Sequence, residues 1–414
     1  MNKKISLGTA ISIAAVTAVF AMVITYTAAI RIFDSRMNSV TERQNMYQIL
    51  SEIDITVRQN YYGEISENYL QRNISQGYIE GLDDKYSFYL SADEYQLAVN
   101  ESLGYTFGLG IDISKATDGN IQVNVVYEGS PAAKAGIVKG DVIVNAMGKD
   151  VLSVGYDKAV ELISQASPKV SVVISRRGEK TAYELTKSKF ETKSVARRMV
   201  NNNVGVITIY EFNAKTPTQF NAALTYLRNS GAKGIIIDLR DNSSINYEYA
   251  CDILDTLLPA GAIMSVTDKN GKVVQKYTSD AKYIDLPMQV LINEKTEGAA
   301  ELFAAVMMNY QKAETVGTTT AGHDTVQKIF QLSNGGAVQL TVGKWSDSLS
   351  EFVKDSAVTP QFEVILTAYQ QSNRYLLADE EDPQLQTALD RILLQIEVES
   401  EETDEEENEG PASV

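Results

Sequence analysis

The chain has 414 residues, enough for two or three domains with a sizeable core. Its formal net charge of −17, from 37 basic and 54 acidic side chains, argues against nucleic acid as a partner. A single cysteine, Cys251, excludes an internal disulfide framework, and a single histidine, His323, excludes a multi-histidine metal site. The sequence therefore predicts neither a metal centre nor a cofactor.

Residues 5–30 form an uncharged, largely apolar stretch that follows Lys3 and Lys4. The stretch is long enough to span a bilayer with tilt, and it is longer than the apolar part of a usual signal peptide. We therefore predict a membrane anchor with its flank over residues 1–37. The Thr-Ala-Ala triplet at 27–29 leaves a cleaved secretory signal open as the alternative.

Residues 38–103 are predicted to be helical and amphipathic, because apolar side chains recur at helical spacing at Met46, Leu50, Ile53 and Val57. Within this segment, the run GYIEGLDDKYSFYLSADEYQ is predicted to form a helix–turn–helix that packs on the following domains. Its two adjacent aspartates are given no chemical role.

Residues 104–190 form a β-rich unit with one short helix whose ends are marked in the sequence. Ser130 can cap the free N–H groups of this helix, Pro131 suits its first position, and Gly136 suits a left-handed exit. An amphipathic helix and a strand with period-2 alternation follow. This order of elements, with these glycines, resembles a PDZ domain of the bacterial protease type.

The PDZ resemblance implies a groove that binds the C-terminus of a peptide, which adds as a strand while backbone N–H groups hold its carboxylate. Those N–H groups would come from Leu109, Gly110 and Ile111. Val160 and Ile163 are the candidate pocket residues. The alternative is that these glycines only make a tight hairpin.

Residues 191–396 alternate between predicted strands and helices. A buried strand at 289–292 is followed by a turn, a helix over 301–310 and a Thr/Gly-rich loop at 317–324. Hydrolases commonly place a nucleophile on such a strand–turn–helix, because the turn exposes it beside backbone N–H groups at the helix start. Here the turn holds Lys-Thr-Glu-Gly at 295–298, with neither serine nor cysteine.

This stretch resembles the catalytic core of the C-terminal processing peptidases, the serine peptidases of S41 type that use a Ser–Lys dyad. The resemblance implies that Gly298 occupies the position of the nucleophile, His323 that of the general-base lysine, and Gln327 that of a supporting glutamine. It also implies a crotonase/ClpP-like α/β core and a body outside the cytoplasmic membrane. The residues that carry the match are Asn293, Glu294, Glu301, Phe303, Ala304, Tyr310, Gly317, Thr320, Gly322, Val326 and Gln327.

Further departures from the family pattern lie elsewhere in the chain. The run GAKGIIIDLRDN at 231–242 matches the family, whose usual continuation Pro-Gly-Gly contributes backbone to the oxyanion hole. This chain has Ser243, Ser244 and Ile245 instead. Because Ile245 does not easily adopt the positive φ that glycine accepts, an N–H presented in that way is expected to be lost. Asn309 and Gln361 also stand where the family has aspartate.

Two side chains of this stretch, His323 and Thr296, are further candidates for chemistry. His323 could act as a base or be an ordinary loop residue. Thr296 could supply a hydroxyl, but two residues of displacement on a tight turn are expected to take it out of reach of His323.

The tail at 397–414 is rich in acids and poor in apolar residues, and it is predicted to remain unfolded.

The sequence thus predicts a multidomain α/β protein with a membrane anchor, a helical segment, a PDZ-like domain and an S41-type core. The function expected from the resemblance is that of a membrane-anchored, extracytoplasmic homologue without Ser–Lys catalysis that binds peptide or protein C-termini. Homodimerisation or association with an active relative is a further expectation. The alternatives are an active S41-type hydrolase with a non-standard nucleophile or base, and an envelope protein with a structural role only.

Overall fold

The computed structural model describes residues 40–408 apart from 202, 347–352 and 355–356, together with the isolated positions 17, 21, 25 and 26. The predicted anchor at 5–30 lies outside the described residues except for those four positions. None of the helices in the described parts of the chain is long and apolar enough to cross a membrane. The chain divides into two compact units, residues 1–75 and 76–414.

The first unit is helical. Residues 40–60 form α1, and α2 (Glu67–Glu80) begins after a short connection. Arg58 near the end of α1 pairs with Asp54, one turn earlier, and with Glu67 at the start of α2. These pairs are exposed, so water and salt screen them and they contribute little to stability.

The second unit begins with a strand and a helix that the sequence prediction did not separate. Phe88–Leu90 is strand β1, not part of a helix–turn–helix, and α3 (Ala92–Ser102) follows it. β1 pairs with a strand some 250 positions later in the chain, through Phe88 opposite Gln339. Local periodicity carries no information about such a partner, which explains the error.

The PDZ-like domain contains a six-stranded sheet with strand order β3 (Ile111–Lys115), β4 (Ile121–Val126), β5 (Val142–Ala146), β7 (Lys169–Arg176) and β8 (Glu179–Thr186), in which β6 (Lys149–Asp150) pairs with β5. Ser130 caps α4 by accepting the N–H of Ala133, and Gly136 leaves the helix with a φ of +81°, as predicted. The elements of the PDZ-like domain, in chain order, are β2 (Tyr105–Gly108), β3 (Ile111–Lys115), β4 (Ile121–Val126), α4 (Pro131–Lys134), β5 (Val142–Ala146), β6 (Lys149–Asp150), α5 (Val151–Val154), α6 (Tyr156–Gln165), β7 (Lys169–Arg176), β8 (Glu179–Thr186) and β9 (Ser188–Glu191).

The core domain is built on a sheet with strand order β10-β11-β12-β15-β16-β21, in which every pair except β10–β11 is parallel. Its strands are β10 (Val195–Val200), β11 (Val204–Ile209), β12 (Gly234–Asp238), β15 (Met288–Ile292), β16 (Glu314–Gly317) and β21 (Phe362–Glu363). The helices around it are α7 (Thr216–Asn229), α8 (Tyr247–Leu257), α9 (Ala299–Asn309), α10 (Ala368–Asn373) and α11 (Pro383–Asn408).

Both faces of this sheet are covered, which is what parallel strands require. Alternate residues of β12 show the division: Ile235 and Ile237 pack with α7, α8 and α9, whereas Ile236 packs with α11. Every residue of β12 and β15 is buried, so the carboxyl ends of these two strands are held in place by the core. Loops that follow such strand ends are the usual place for a functional site in an open α/β sheet.

A second sheet contains β17 (Thr325–Gln331) and β18 (Ala337–Ser346). On the other side of β18 lie β1 and β13 (Gly261–Thr267), and β14 (Val273–Ser279) pairs with β13. A two-stranded ribbon of β19 (Val353–Lys354) and β20 (Ala357–Val358) completes the described strands.

The acidic tail is shorter than predicted. Helix α11 continues to Asn408, so residues 397–408 are helical where the sequence prediction had them unfolded. The helix is anchored near its start by buried Leu389 and Ile392. Once a helix is nucleated, each further residue adds a hydrogen bond, and glutamate is a good helix former.

Candidate functional site

The strand–turn–helix at residues 288–309 is built as the sequence predicts. Strand β15 ends at Ile292, and α9 begins at Ala299, with Gly298 as its N-cap at a φ of 65° and ψ of −113°. Backbone of this kind is strained for residues with a Cβ, and it is found at sharp strand-to-helix turns that present a nucleophile. The turn therefore retains the conformation of a nucleophile-bearing turn, and glycine occupies its critical position.

The carboxylate of Glu301 ties this turn to the loop that carries His323. Glu301 is fully buried and accepts the N–H groups of Gly298 at 2.8 Å, Gly322 at 2.6 Å and His323 at 2.8 Å. It also accepts the hydroxyl of Thr320 at 2.5 Å. Burial raises the pKa of Glu301, and these four donors oppose the shift. A single buried carboxylate thus links the start of α9 to the loop that carries His323.

His323 is brought next to Gly298, as the resemblance implies. A Cβ built on Gly298 would lie 3.6 Å from its Nδ1, and only 1% of the residue is exposed. Nδ1 lies 3.3 Å from Oε1 of Glu297 without hydrogen-bond geometry to any described group. Burial lowers the pKa of His323, and the carboxylate of Glu297 opposes that shift. His323 is therefore not an ordinary exposed loop residue.

Gln327 belongs to the same cluster through a shared threonine. Its Nε2 donates to Oγ1 of Thr325 at 2.8 Å, and the same oxygen lies 2.8 Å from Nε2 of His323. Because an amide Nε2 can only donate, the proton of the Thr325 hydroxyl is free to point at the imidazole. The structure thus places Gly298, His323 and Gln327 together, with Thr325 between the last two.

Tyr86 completes the cluster, and sequence reasoning missed it. Its ring stacks on His323 with 3.6 Å between centroids and 5° between planes, and its hydroxyl donates to Glu297 at 2.5 Å. It reaches the site from the segment before β1, more than two hundred positions earlier in the chain. No local pattern in the sequence predicts a contact between segments so far apart along the chain.

Thr296, whose hydroxyl is the candidate nucleophile in the turn, is directed away from His323. Its side chain is completely buried. Its hydroxyl accepts the N–H of Asn293 at 2.9 Å and lies 3.1 Å from the carbonyl oxygen of Leu239. The hydroxyl therefore shapes the turn.

The loop at 243–245 covers the place where an oxyanion would be held. The N–H of the residue after the nucleophile is one of the two usual oxyanion donors. Here that N–H belongs to Ala299, and it donates to the carbonyl oxygen of Ser244 at 2.8 Å. The same oxygen would lie 2.6 Å from a Cβ on Gly298, a distance that requires the backbone to move. The neighbouring N–H of Glu297 is also paired, with the carbonyl of Asn242 at 2.8 Å.

The predicted peptide groove lies along β3, the edge strand of the PDZ-like sheet. The N–H of Tyr127 donates to the carbonyl of Gly110 at 3.0 Å, and the next pair in the register is Ile111 with Val126. Since hydrogen-bonded and non-bonded pairs alternate in an antiparallel ladder, the N–H and C=O of Ile111 point to the free edge. Leu109, Ile111, Val160 and Ile163 all belong to one apolar cluster.

Position 110 requires glycine because its backbone lies close to Ser130. Its φ is +76°, and an added Cβ would lie 2.1 Å from Cβ of Ser130. The glycine therefore serves contact with α4 as well as the turn into β3.

Comparison with known proteins agrees with this architecture. The model of peptidase family S41 matches residues 203–364, and a PDZ domain model matches residues 122–177. The carboxy-terminal processing protease CtpA of Bacillus subtilis is 32% identical over 318 residues, which cover 76% of this chain and 68% of that protein. The chain belongs to peptidase family S41.

More distant relatives of this S41 chain include a probable CtpA-like serine protease of Staphylococcus saprophyticus, which is 28% identical over 88% of this chain and 73% of that protein. Among solved structures, a putative S41 protease from Bacteroides fragilis covers 81% of this chain and 95% of its own, with a TM-score of 0.58 and 19% identity. The structural likeness concerns the fold alone. Within that fold, this S41 chain has glycine and histidine at the two positions where the resemblance implies serine and lysine.

Proposed function

We propose that this S41 chain is a non-catalytic homologue that binds the C-termini of peptides or proteins through its PDZ-like domain. We further propose that residues 5–30 anchor it to the cytoplasmic membrane with its body on the outer side. The observation that carries the first proposal is the position of the Ser244 carbonyl. It lies 2.6 Å from where a nucleophile's Cβ would be, and it accepts the N–H of Ala299.

The chemistry of the family supports this proposal. Acyl transfer of this kind needs a nucleophile, a base for its proton and N–H donors for the developing oxyanion. Gly298 has no side chain, and the Ala299 N–H is already bound. Loss of the nucleophile alone leaves only the small rate owed to binding and oxyanion stabilisation, and the second of these is also impaired here.

Three features of the PDZ-like domain support the proposed peptide binding. β3 is an edge strand, Ile111 directs its backbone groups to the open side, and Val160 and Ile163 of α6 supply an apolar wall. A peptide that adds to β3 would gain main-chain hydrogen bonds, and its last side chain would lie against this wall. Such a protein could present its ligand to, or withhold it from, an active relative.

The test is a titration of the purified full-length protein with fluorescent peptides that differ only in a free or an amidated C-terminus. Peptides that end in an apolar residue should bind in the free form and lose at least tenfold in affinity when amidated. Equal binding of both forms, or binding of neither, would show that the groove does not recognise a chain terminus.

One observation favours a second candidate, an active hydrolase that uses Thr325. Its Oγ1 lies 2.8 Å from Nε2 of His323, whose Nδ1 lies 3.3 Å from Glu297. This is the order of a nucleophile, a base and a carboxylate. Against it, the Thr325 oxygen also accepts from Gln327, and the ring of Tyr86 covers the imidazole.

The second candidate is tested by treating the protein with a fluorophosphonate and mapping any adduct by mass spectrometry. Wild type and Thr325→Val are compared, since valine keeps the shape and removes the hydroxyl. An adduct on Thr325 that is absent from the variant would establish the hydrolase. Absence of an adduct in both proteins is expected if the chain is non-catalytic.

A further inference from the structure

A cavity of about 550 Å³ lies between the PDZ-like domain and the core domain. We call it the β4 cavity, because Asn124 and the two residues after it, at the end of β4, form one wall. Other walls come from Thr208 and Asp238, near the carboxyl ends of the parallel strands β11 and β12, and from residues 374–382. Ligands of open α/β sheets usually bind outside such strand ends. The cavity contains no residue of the cluster around Gly298 and none of the predicted peptide-groove residues.

Asn124 presents an unpartnered donor to this cavity. The residue is 7% exposed, and its Oδ1 accepts hydrogen bonds from Oγ of Ser114 at 3.2 Å and from Nε2 of Gln122 at 3.4 Å. Its Nδ2 forms no hydrogen bond with any described group. Since buried polar groups in native proteins nearly always have a hydrogen-bond partner, this donor calls for an acceptor inside the cavity.

Arg374 lines the same cavity and has the same need. Its side chain is 9% exposed. Nη2 donates to Asp241, whereas Nη1 lies 3.9 Å from Oδ2 of Asp238, too far for a hydrogen bond, and Nε has no acceptor among the described groups. A guanidinium carries five N–H donors, so most of those of Arg374 are unused. Two side chains that are more than nine-tenths buried thus bring unpartnered donors to one cavity.

The carboxylates that line the β4 cavity are already paired with other groups. Asp238 and Asp382 both bind Arg240, at 2.7 Å and 2.9 Å. Asp379 binds Arg198 at 2.9 Å. The lining therefore offers no spare acidic side chain to the unpartnered donors, and the missing acceptor has to come from a ligand.

Lys139 and Tyr210 add two further donors to the lining. Lys139 forms no ion pair with a described residue. Burial lowers the pKa of Lys139, the charge of Arg198 lowers it further, and Asp379 opposes the shift. The hydroxyl of Tyr210 forms no hydrogen bond with any described group. An anion between these groups would supply both an acceptor and a countercharge.

We propose that the β4 cavity binds a small molecule through a carboxylate that accepts hydrogen bonds from Asn124 and Arg374. The lining holds four basic and three acidic side chains, and Asp241, which pairs with Arg374, brings the surroundings close to neutrality. A group with one negative charge therefore suits the cavity better than a doubly charged phosphate. Val125 and Val126 also line the cavity, so an apolar body next to the carboxylate would find apolar contacts. This site is separate from the groove along β3 and goes beyond the function proposed above.

The test is an isothermal titration of the purified full-length protein with benzoate and with benzamide, at constant ionic strength. Benzamide has the same shape and no charge, so benzoate should bind at least tenfold more tightly. Phenyl phosphate, which carries more negative charge, should bind more weakly than benzoate. Equal binding of benzoate and benzamide, or binding of neither, would overturn the proposal. Tighter binding of phenyl phosphate would overturn the assignment to a carboxylate.

Asn124→Asp keeps the oxygen that Ser114 and Gln122 require and replaces the unpartnered donor with a second carboxylate oxygen. The variant should lose at least tenfold in affinity for benzoate, because the new charge repels the ligand. Asn221→Asp, at an exposed position of α7, makes the same change of charge elsewhere and should bind benzoate as wild type does. Unchanged affinity in Asn124→Asp, with a wild-type melting temperature, would place benzoate outside the β4 cavity.

Tyr210→Phe decides the question if Asn124→Asp does not fold. The hydroxyl of Tyr210 has no partner among the described groups, so its removal should leave the melting temperature unchanged. Affinity for benzoate should fall about three- to tenfold, because one donor to the carboxylate is lost. Wild-type affinity in Tyr210→Phe would contradict the proposed site.

A peptide with a free C-terminus also carries a carboxylate, so competition separates the two sites. The fluorescent peptide that binds along β3 should not be displaced by benzoate, and Val160→Arg should leave the affinity for benzoate unaltered. Displacement of the peptide by benzoate, or loss of benzoate binding in Val160→Arg, would mean that benzoate occupies the peptide groove and that the β4 cavity is not its site.

Discussion

The PDZ-like domain and the core domain differ in which features of their candidate sites are present. In the PDZ-like domain, the proposed peptide binding rests on the edge strand β3, the close contact at Gly110 and the apolar side chains of α6. In the core, the turn, the buried helix α9 and the carboxylate of Glu301 remain, while the reacting groups are replaced and a backbone carbonyl fills their place. The framework around Gly298 and His323 is thus present without the family's serine and lysine, and its helix α9 and Glu301 also belong to the buried core.

The first prediction has the largest expected effect. It compares Glu301, which binds donors at the start of α9, with Ser130, which caps the start of α4. Glu301→Ala should lower the free energy of unfolding by about 3–5 kcal/mol, because four buried donors lose their common acceptor. Ser130→Ala, which removes one cap on α4, should cost about 1 kcal/mol. Chemical denaturation of both variants measures the difference. Equal costs would mean that Glu301 does not organise the core site.

The second prediction concerns restoration of the nucleophile. Gly298→Ser should destabilise the protein by about 2–4 kcal/mol and give no turnover. The new Cβ would meet the carbonyl of Ser244, and the serine would have to keep the positive φ of Gly298. Gly136→Ser is the matched control: its φ is also positive, but a Cβ there meets nothing within 4 Å. The control should cost about 1 kcal/mol. Measurable proteolysis by Gly298→Ser would show that the loop at 243–245 does not close the site.

The third prediction concerns the pH dependence of stability that is due to Glu211, in the loop after β11. The folded-state pKa of Glu211 is raised from 4.5 to about 7, so the folded state binds more protons than the unfolded state between these values. Stability due to this group is therefore present at low pH and is lost as the pH rises through 7. Relative to wild type, Glu211→Gln should gain about 1–3 kcal/mol between pH 5 and pH 8.

The pH dependence of stability that is due to His323 should have the opposite sign to that of Glu211. Its pKa is lowered in the folded state, so wild type loses stability as the pH falls below the ordinary histidine value of about 6.5. His323→Gln should remove that loss. Thermal denaturation across pH 5 to 8 measures both effects, and equal pH profiles for wild type and the two variants would contradict both assignments.

The fourth prediction returns to the PDZ-like domain. Val160→Arg should reduce the affinity for a free C-terminus by about tenfold, because a charged side chain would stand against the apolar end of the peptide. His323→Gln in the core should leave this affinity unchanged. Loss of peptide binding in the core variant, with wild-type stability, would mean that the two domains do not act independently.

Much of the framework could be predicted from the sequence. Strand β15 contains the strand predicted at 289–292, and the caps at Ser130 and Gly136 follow from local chemistry, which needs only a few neighbouring residues. Strand β1 could not be predicted because its partner lies in β18, far along the chain. Helix α11 passes the predicted start of the unfolded tail because tertiary contacts earlier in the helix stabilise it.

The candidate site divides in the same way. Gly298, His323 and Gln327 followed from the resemblance of one continuous stretch to the S41 family. The stacking of Tyr86, the hydroxyl of Thr325 and the carbonyl of Ser244 depend on how separate loops meet in space. No residue type marks a carbonyl oxygen in a sequence, and yet this atom closes the site.

The most direct test of the central claim is the cleavage of an unstructured protein by the purified full-length chain, measured beside Thr325→Val and His323→Gln. If the core is non-catalytic, all three proteins leave the substrate intact at the rate of the buffer alone. Turnover by wild type that disappears in either variant would contradict the account.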